Sequence, residues 1–199
     1  MFDLKEEFLA IWHENIKREG STELLNYLSG TDFFRAPASS NYHSNYEGGL
    51  CAHSINVYKR LKSLVDKEDS MYNKFSNETI AIIGLLHDVC KANFYVPYYK
   101  NVKEDGVWVQ RLAYKIDERY PFGHGEKSVY IIQKFMKLTD EEAMAINWHM
   151  GAFDNRTIGG SQSMNQAFQK YPLTVLTHLA DTMATYLDEN SKNQDDDNF

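Results

Sequence analysis

Apolar residues recur at spacings of three and four along most of this chain, the mark of helices with one buried face. Leu4, Phe8, Ile11, Trp12 and Ile16 form the first such stripe. Gly20-Ser21 interrupts it, Ser21 offers a cap for a short helix over Thr22 to Leu28, and Gly30 ends that helix. Residues 31–49, rich in Ser, Asn, Tyr and Gly, read as a loop. Gly48-Gly49 then opens a helix from Leu50 to about Val65, with Leu50, His53, Val57, Leu61 and Leu64 on one face. Ser76 caps the next helix, whose run from Ile80 to Leu86 leads into His87-Asp88. The period then changes. Aromatic and β-branched residues flank Asp105-Gly106, which predicts a β-hairpin near 94–117. Helices resume after Pro121-Phe122-Gly123, running to about Leu138, and again at the capping box Thr139-Asp140-Glu141-Glu142. A loop over Gly151–Ser163 precedes a last helix starting at Pro172, with Leu173, Leu176, Leu179, Ala180, Met183 and Leu187 on its predicted core face.

The pattern predicts an all-α fold with one small β excursion, in a single domain over 1–190. N-terminal helices fill 1–30, a core spans 47–189, and a disordered acidic tail covers 191–199. Hydrophobic residues are 43% of the 199, enough for one core without disulfides. Cys51 and Cys90 are too few and too far apart for a disulfide framework. The acidic start Asp3-Leu4-Lys5-Glu6-Glu7 does not resemble a signal peptide, and no apolar run approaches a membrane span, so a cytoplasmic protein without membrane contact is expected. Net charge is −7, and five acids between Leu187 and Phe199 account for much of it. The remaining body, at −3, has no basic track, which argues against long nucleic acid as a partner.

Chemistry enters where polar residues break the apolar runs. His87 and Asp88 end the most hydrophobic segment, and burying both is costly unless something compensates. A divalent cation would compensate, since imidazole and carboxylate suit zinc, iron or manganese. Alternatively, Asp88 simply pairs with Lys91. His53 lies among aliphatics on its helix face, His124 opens a helix between two glycines, His149 ends another helix, and Asp181 sits between Ala180 and Met183. His178 is expected to face solvent. The hairpin's aromatics, with Tyr42 and Tyr46, offer stacking surfaces for a base.

The order His53, His87-Asp88, His124, His149, Asp181 resembles the metal-dependent HD-domain phosphohydrolase superfamily over roughly residues 47–189. His53 follows Gly-Gly-Leu-Cys-Ala, and His87-Asp88-Val89-Cys90-Lys91 is similar to the family's central motif, with Cys90 where glycine is common. Asp181 matches the closing aspartate. Tyr46-Glu47-Gly48-Gly49-Leu50 is also similar to the HD domain of YhaM-type 3′–5′ exoribonucleases, without their OB domain. The resemblance implies a helical bundle around two divalent transition-metal ions (Fe, Mn, Zn or Ni). Asp88 would bridge them, with His53, His87 and Asp181 on one and His124 and His149 on the other. It implies hydrolysis of a phosphomonoester or phosphodiester of a nucleotide or short oligonucleotide, with Asp88 and Lys91 as catalytic residues and Arg35 and His43 as substrate contacts. Two rival readings remain open: a non-haem di-iron oxygenase on the same fold, and a non-catalytic nucleotide-binding protein.

Overall fold

The protein was studied as a computed structural model, which describes residues 3–40, 44–68 and 74–189. Tyr42, His43 and the acidic tail lie outside these residues. The order is α1 (Leu4–Asn15), α2 (Ser21–Ser29), α3 (Gly49–Lys67), α4 (Asn77–Leu86), β1 (Tyr95–Glu104), β2 (Val107–Ile116), α5 (His124–Gln133), α6 (Asp140–Asn147), α7 (Asn155–Ile158), α8 (Ser163–Lys170) and α9 (Pro172–Met183). A 3-10 turn, Val89–Lys91, follows α4, and a π turn, Ala184–Glu189, extends α9. The fold is helical with one two-stranded sheet, as the periodicity predicts.

α4 is the central element. Every residue from Ile80 to Leu86 is buried, so the helix needs neighbours on all sides, and α1, α3 and α6 supply them. α3 and α4 cross very closely. A Cβ on Gly84 would lie 2.5 Å from the Tyr58 Cα, so only glycine allows this approach. The same device recurs between α5 and α6, where a Cβ on Gly125 would lie 2.2 Å from the Asn147 carbonyl oxygen. Gly125 therefore serves helix packing rather than room around the His124 ring. Each close crossing brings a histidine-bearing helix end against another.

Four local expectations are corrected. Ser21 lies inside α2, and Gly20, with φ +84°, precedes it without a side-chain cap. α5 ends at Gln133 rather than Leu138, and the 151–163 loop is followed by a short helix, α8, that buries only Ala167. Leu179 and Leu187 are exposed, because the core face of α9 is made instead by Leu173, Thr174, Thr177 and Ala180.

The hairpin has the predicted bounds and turn. Asp105 and Gly106 take φ values of 50° and 86°, as a two-residue primed turn requires, and Glu104 pairs with Val107. Ala113 is its one buried residue. Tyr99 and Trp108 are exposed, as is most of the hairpin, while its base is partly covered at Tyr95 and Tyr114.

At the N-terminal end of α4 lies a polar cluster. Arg18, following α1, donates to Glu142 Oε2 and Oε1 at 2.5 and 2.9 Å. Glu142 also accepts from Thr79 Oγ1 and the Thr139 N–H, completing the capping box of α6. One fully buried carboxylate thus ties α1, α4 and α6 together.

Candidate metal centre

The opposite end of α4 carries the other polar cluster. α4 stops at Leu86, and His87 is its C-terminal cap; Asp88, at φ −107° and ψ 18°, has already left the helix. α6 ends in the same way, with Trp148 at φ −113° and ψ 16° before His149. In both places the imidazole folds back on the helix just ended. His87 Nδ1 meets the Gly84 carbonyl at 2.9 Å, and His149 Nδ1 meets the Ile146 carbonyl at 2.7 Å. Each ring thereby satisfies one of the carbonyls that a helix end leaves without a partner. Donation from Nδ1 fixes the neutral tautomer whose Nε2 lone pair points the other way, towards Asp88.

His53 is anchored differently, by Glu189, to which sequence reading assigns no role beyond its place among the C-terminal acids. Its Nδ1 lies 2.8 Å from Glu189 Oε1, which Asn56 also reaches, while Ser44 Oγ donates to Glu189 Oε2. Glu189 is buried and belongs to the folded body. The charge run around it hid this role. His178 also departs from expectation: its Nδ1 contacts the His149 carbonyl at 2.8 Å, so it braces the segment after α6 rather than facing solvent.

The anchored nitrogens converge. His53 Nε2 and His87 Nε2 are 3.2 Å apart, and Asp181 Oδ1 is 3.2 Å from His53 Nε2. Asp88 Oδ2 lies 3.6 and 3.5 Å from the Nε2 atoms of His53 and His87. Its other oxygen, Oδ1, lies 2.7 Å from His124 Nε2 and 3.4 Å from His149 Nε2. The structure therefore brings together all six residues expected as metal ligands, on two sides of one carboxylate. Lys91 pairs with Asp88 Oδ2 at 2.6 Å, so the simple ion pair also forms. Arg35 is exposed and makes no ion pair among the described residues.

Burial alone would keep Asp88 protonated, but Lys91, His87 and His124 outweigh it and hold its carboxyl well below the usual carboxylate range. Burial lowers the pKa of His87 and His124 more than Asp88 raises them. Burial likewise opposes a charge on His53, but Asp181 and Glu189 prevail and push it up to about 10.

The residues fit a divalent cation. Two anchored imidazoles place Nε2 atoms 3.2 Å apart, an arrangement that a shared cation relieves. His149 Nε2 is fully buried with no hydrogen-bond partner among the described residues. An unsatisfied buried nitrogen costs about 1–3 kcal/mol unless something occupies its lone pair. Nitrogen and oxygen donors suit zinc, iron, manganese or nickel. His124 and Asp181 have side chains 28% and 18% exposed, whereas the other four are at most 2% exposed, so the cluster opens to solvent on that side.

Because Glu189 fixes the His53 tautomer, Glu189→Gln should weaken metal binding about 10–100-fold while the fold persists. Competition titration with a chromogenic chelator checks this; unchanged affinity would leave Glu189 a purely structural residue.

The comparisons with known proteins agree with this geometry. The curated dihydroneopterin 2',3'-cyclic phosphate phosphodiesterase of Methanocaldococcus jannaschii is 37% identical over 90 residues, covering 45% of this chain and 34% of that relative. The matched segment thus spans about a third of the relative's length. No solved structure matches the chain significantly. The HD domain model matches residues 50–186, from the first turn of α3 to the π turn after α9, a span that takes in every histidine and carboxylate facing Asp88. The chain belongs to the HD domain family.

Proposed function

We propose that the protein is a metal-dependent phosphohydrolase acting on a phosphoester of a small nucleotide-like molecule, with two divalent ions held on either side of Asp88. The observation carrying this reading is the convergence of four imidazoles and two carboxylates, three of the rings anchored at Nδ1 so that Nε2 faces inward. His53, His87 and Asp181 would hold one ion, His124 and His149 the other. When bound, such ions lower the pKa of a water and neutralise charge on a phosphoryl group. The chain's own groups do the rest. His124 and Asp181 line the open side, where a phosphate arrives. The Lys91 ammonium, kept protonated by Asp88, lies close enough to offer a point charge to that phosphate. Tyr95, at the hairpin base, has its hydroxyl pKa pushed up by burial, a shift that Lys91 opposes.

A small substrate is supported by the relative named for a cyclic phosphate and by the body charge of −3 without a basic track. No helix among the described residues is long and apolar enough to cross a membrane. Exposed Tyr46, beside the start of α3, is placed to stack a base, worth about 1–3 kcal/mol.

The test is a panel of 2',3'-cyclic nucleotides, mononucleotides, dinucleotides and a ~20-residue RNA at two salt concentrations, on protein of measured metal content. Small substrates should be cleaved with weak salt dependence, since few phosphates are neutralised. Lys91→Met should lower turnover roughly 10–100-fold, the cost of a charge-assisted contact of about 1.5–3 kcal/mol, without changing metal content. Rapid, strongly salt-dependent RNA degradation with inert small substrates would overturn the substrate class. Turnover by metal-free protein would overturn the reaction.

A further inference from the structure

Cys90 is the one metal-binding side chain at the cluster that the reading above leaves without work. It sits in the 3-10 turn between Asp88 and Lys91, is buried, and is oriented by its N–H, which donates to Ser128 Oγ at 3.2 Å. Its Sγ lies 3.5 Å from His124 Nε2 and 4.0 Å from Asp88 Oδ1. His149 Nε2 reaches the same carboxylate oxygen at 3.4 Å and has no hydrogen-bond partner among the described residues. Three donors therefore lie close together, a carboxylate oxygen, an imidazole nitrogen and a sulfur, with His149 on the same carboxylate oxygen. In a tetrahedral zinc site, with bonds of about 2.0–2.1 Å to nitrogen and about 2.3 Å to sulfur, neighbouring donors are roughly 3.3–3.8 Å apart. The separations of 3.4 and 3.5 Å fall in that range and 4.0 Å is slightly wide, while the 2.7 Å contact from His124 to Asp88 is a hydrogen bond that a cation would replace.

We propose that Cys90 is a thiolate ligand of the ion on the His124 and His149 side, adding a sulfur donor beside Asp88 and His124 and giving that position a preference for a soft, zinc-like cation. The proposal rests on the metal reading of the centre and refines it: the position on the His53 and Asp181 side has only nitrogen and oxygen donors. The two positions differ in softness, so they select different metals when both are offered. Binding replaces the S–H bond by a metal–sulfur bond and releases one proton to solvent.

Cobalt(II) reports the thiolate directly, through an intense near-ultraviolet sulfur-to-cobalt charge-transfer band. The metal-free protein is titrated with cobalt and followed by absorption and by equilibrium dialysis. Two equivalents should bind, with the band growing alongside one of them. Cys90→Ala should lose the band while keeping the weaker visible bands of the other equivalent and a parental circular dichroism spectrum. Cys51→Ala, whose sulfur is buried against the Leu4 carbonyl, should keep it. Cobalt binding without a charge-transfer band, or a band that survives Cys90→Ala, overturns the thiolate assignment and leaves the metal centre standing. Absence of any cobalt binding overturns both.

Discussion

Asp88→Asn should cost at least about 10³-fold in turnover, roughly 4 kcal/mol of transition-state stabilisation, and should deplete both metal positions together. The substitution keeps the shape and removes the charge that every other member of the cluster faces. One carboxylate oxygen meets His53, His87 and Lys91, and the other meets His124 and His149. It also leaves the Lys91 ammonium buried without its partner, at a cost of about 3–5 kcal/mol in stability. The double variant Asp88→Asn/Lys91→Met separates the two effects: melting temperature should recover much of its loss while metal content and activity stay low. Elemental analysis and calorimetry on both variants decide it. An Asp88→Asn protein that retains two ions per chain would remove Asp88 from its place between them.

The second large effect belongs to the other end of α4. Glu142→Ala should destabilise the protein by about 3–5 kcal/mol, because the Arg18 guanidinium, one Thr139 N–H and the Thr79 hydroxyl lose one acceptor together. In a chain of this size that lowers the melting temperature by roughly 6–20 °C. Burial alone would raise the Glu142 pKa, but the Arg18 contact outweighs it and the folded value is lowered. The sign follows from that direction. The stabilisation is complete above the unfolded-state value near pH ~4.3 and is lost as pH falls through the depressed folded value. Chemical denaturation between about pH 3 and 6 should therefore show a flatter acid limb for Glu142→Gln than for the parent. Metal content at neutral pH should not change, since the ten-residue helix α4 puts about 15 Å between the two clusters. A parallel fall in metal content would show that the clusters are not independent.

Much of the fold was legible because its signals are local. The stripe on α3, the Asp105-Gly106 turn and the Thr139 capping box each depend on residues within a few positions of one another. The six clustered residues were legible because His and Asp at apolar helix ends or faces are costly in isolation, and because their order resembles that of the HD-domain family. What escaped depends on long-range packing or on a change of helical pitch. Glu189 sits eight residues after Asp181, yet the π turn over 184–189 rotates it inward against His53. An extrapolated α-helix would not place it there, and the same turn leaves Leu187 exposed. Cys90 passed as a small residue because nothing local shows that the chain leaves the helix at Asp88 and turns its sulfur towards His124. α8 was missed because its apolar stripe, Met164, Ala167 and Phe168, is only about one turn long and fully buries just the alanine.

The bond from His53 to Glu189 joins positions 136 residues apart. During synthesis, α3 and α4 can pair as soon as both are made, with His53 and His87 already side by side, but the carboxylates that orient and complement His53 arrive only with α9 and the turn after it. For most of its translation the chain therefore carries half of a cation-binding cluster, with two imidazoles facing each other and the closing acids not yet made. On the proposed metal reading, metallation would therefore come late, coupled to the docking of α9 across α3 and α6. A supply of metal during translation should speed maturation little, whereas one available as α9 docks should speed it most.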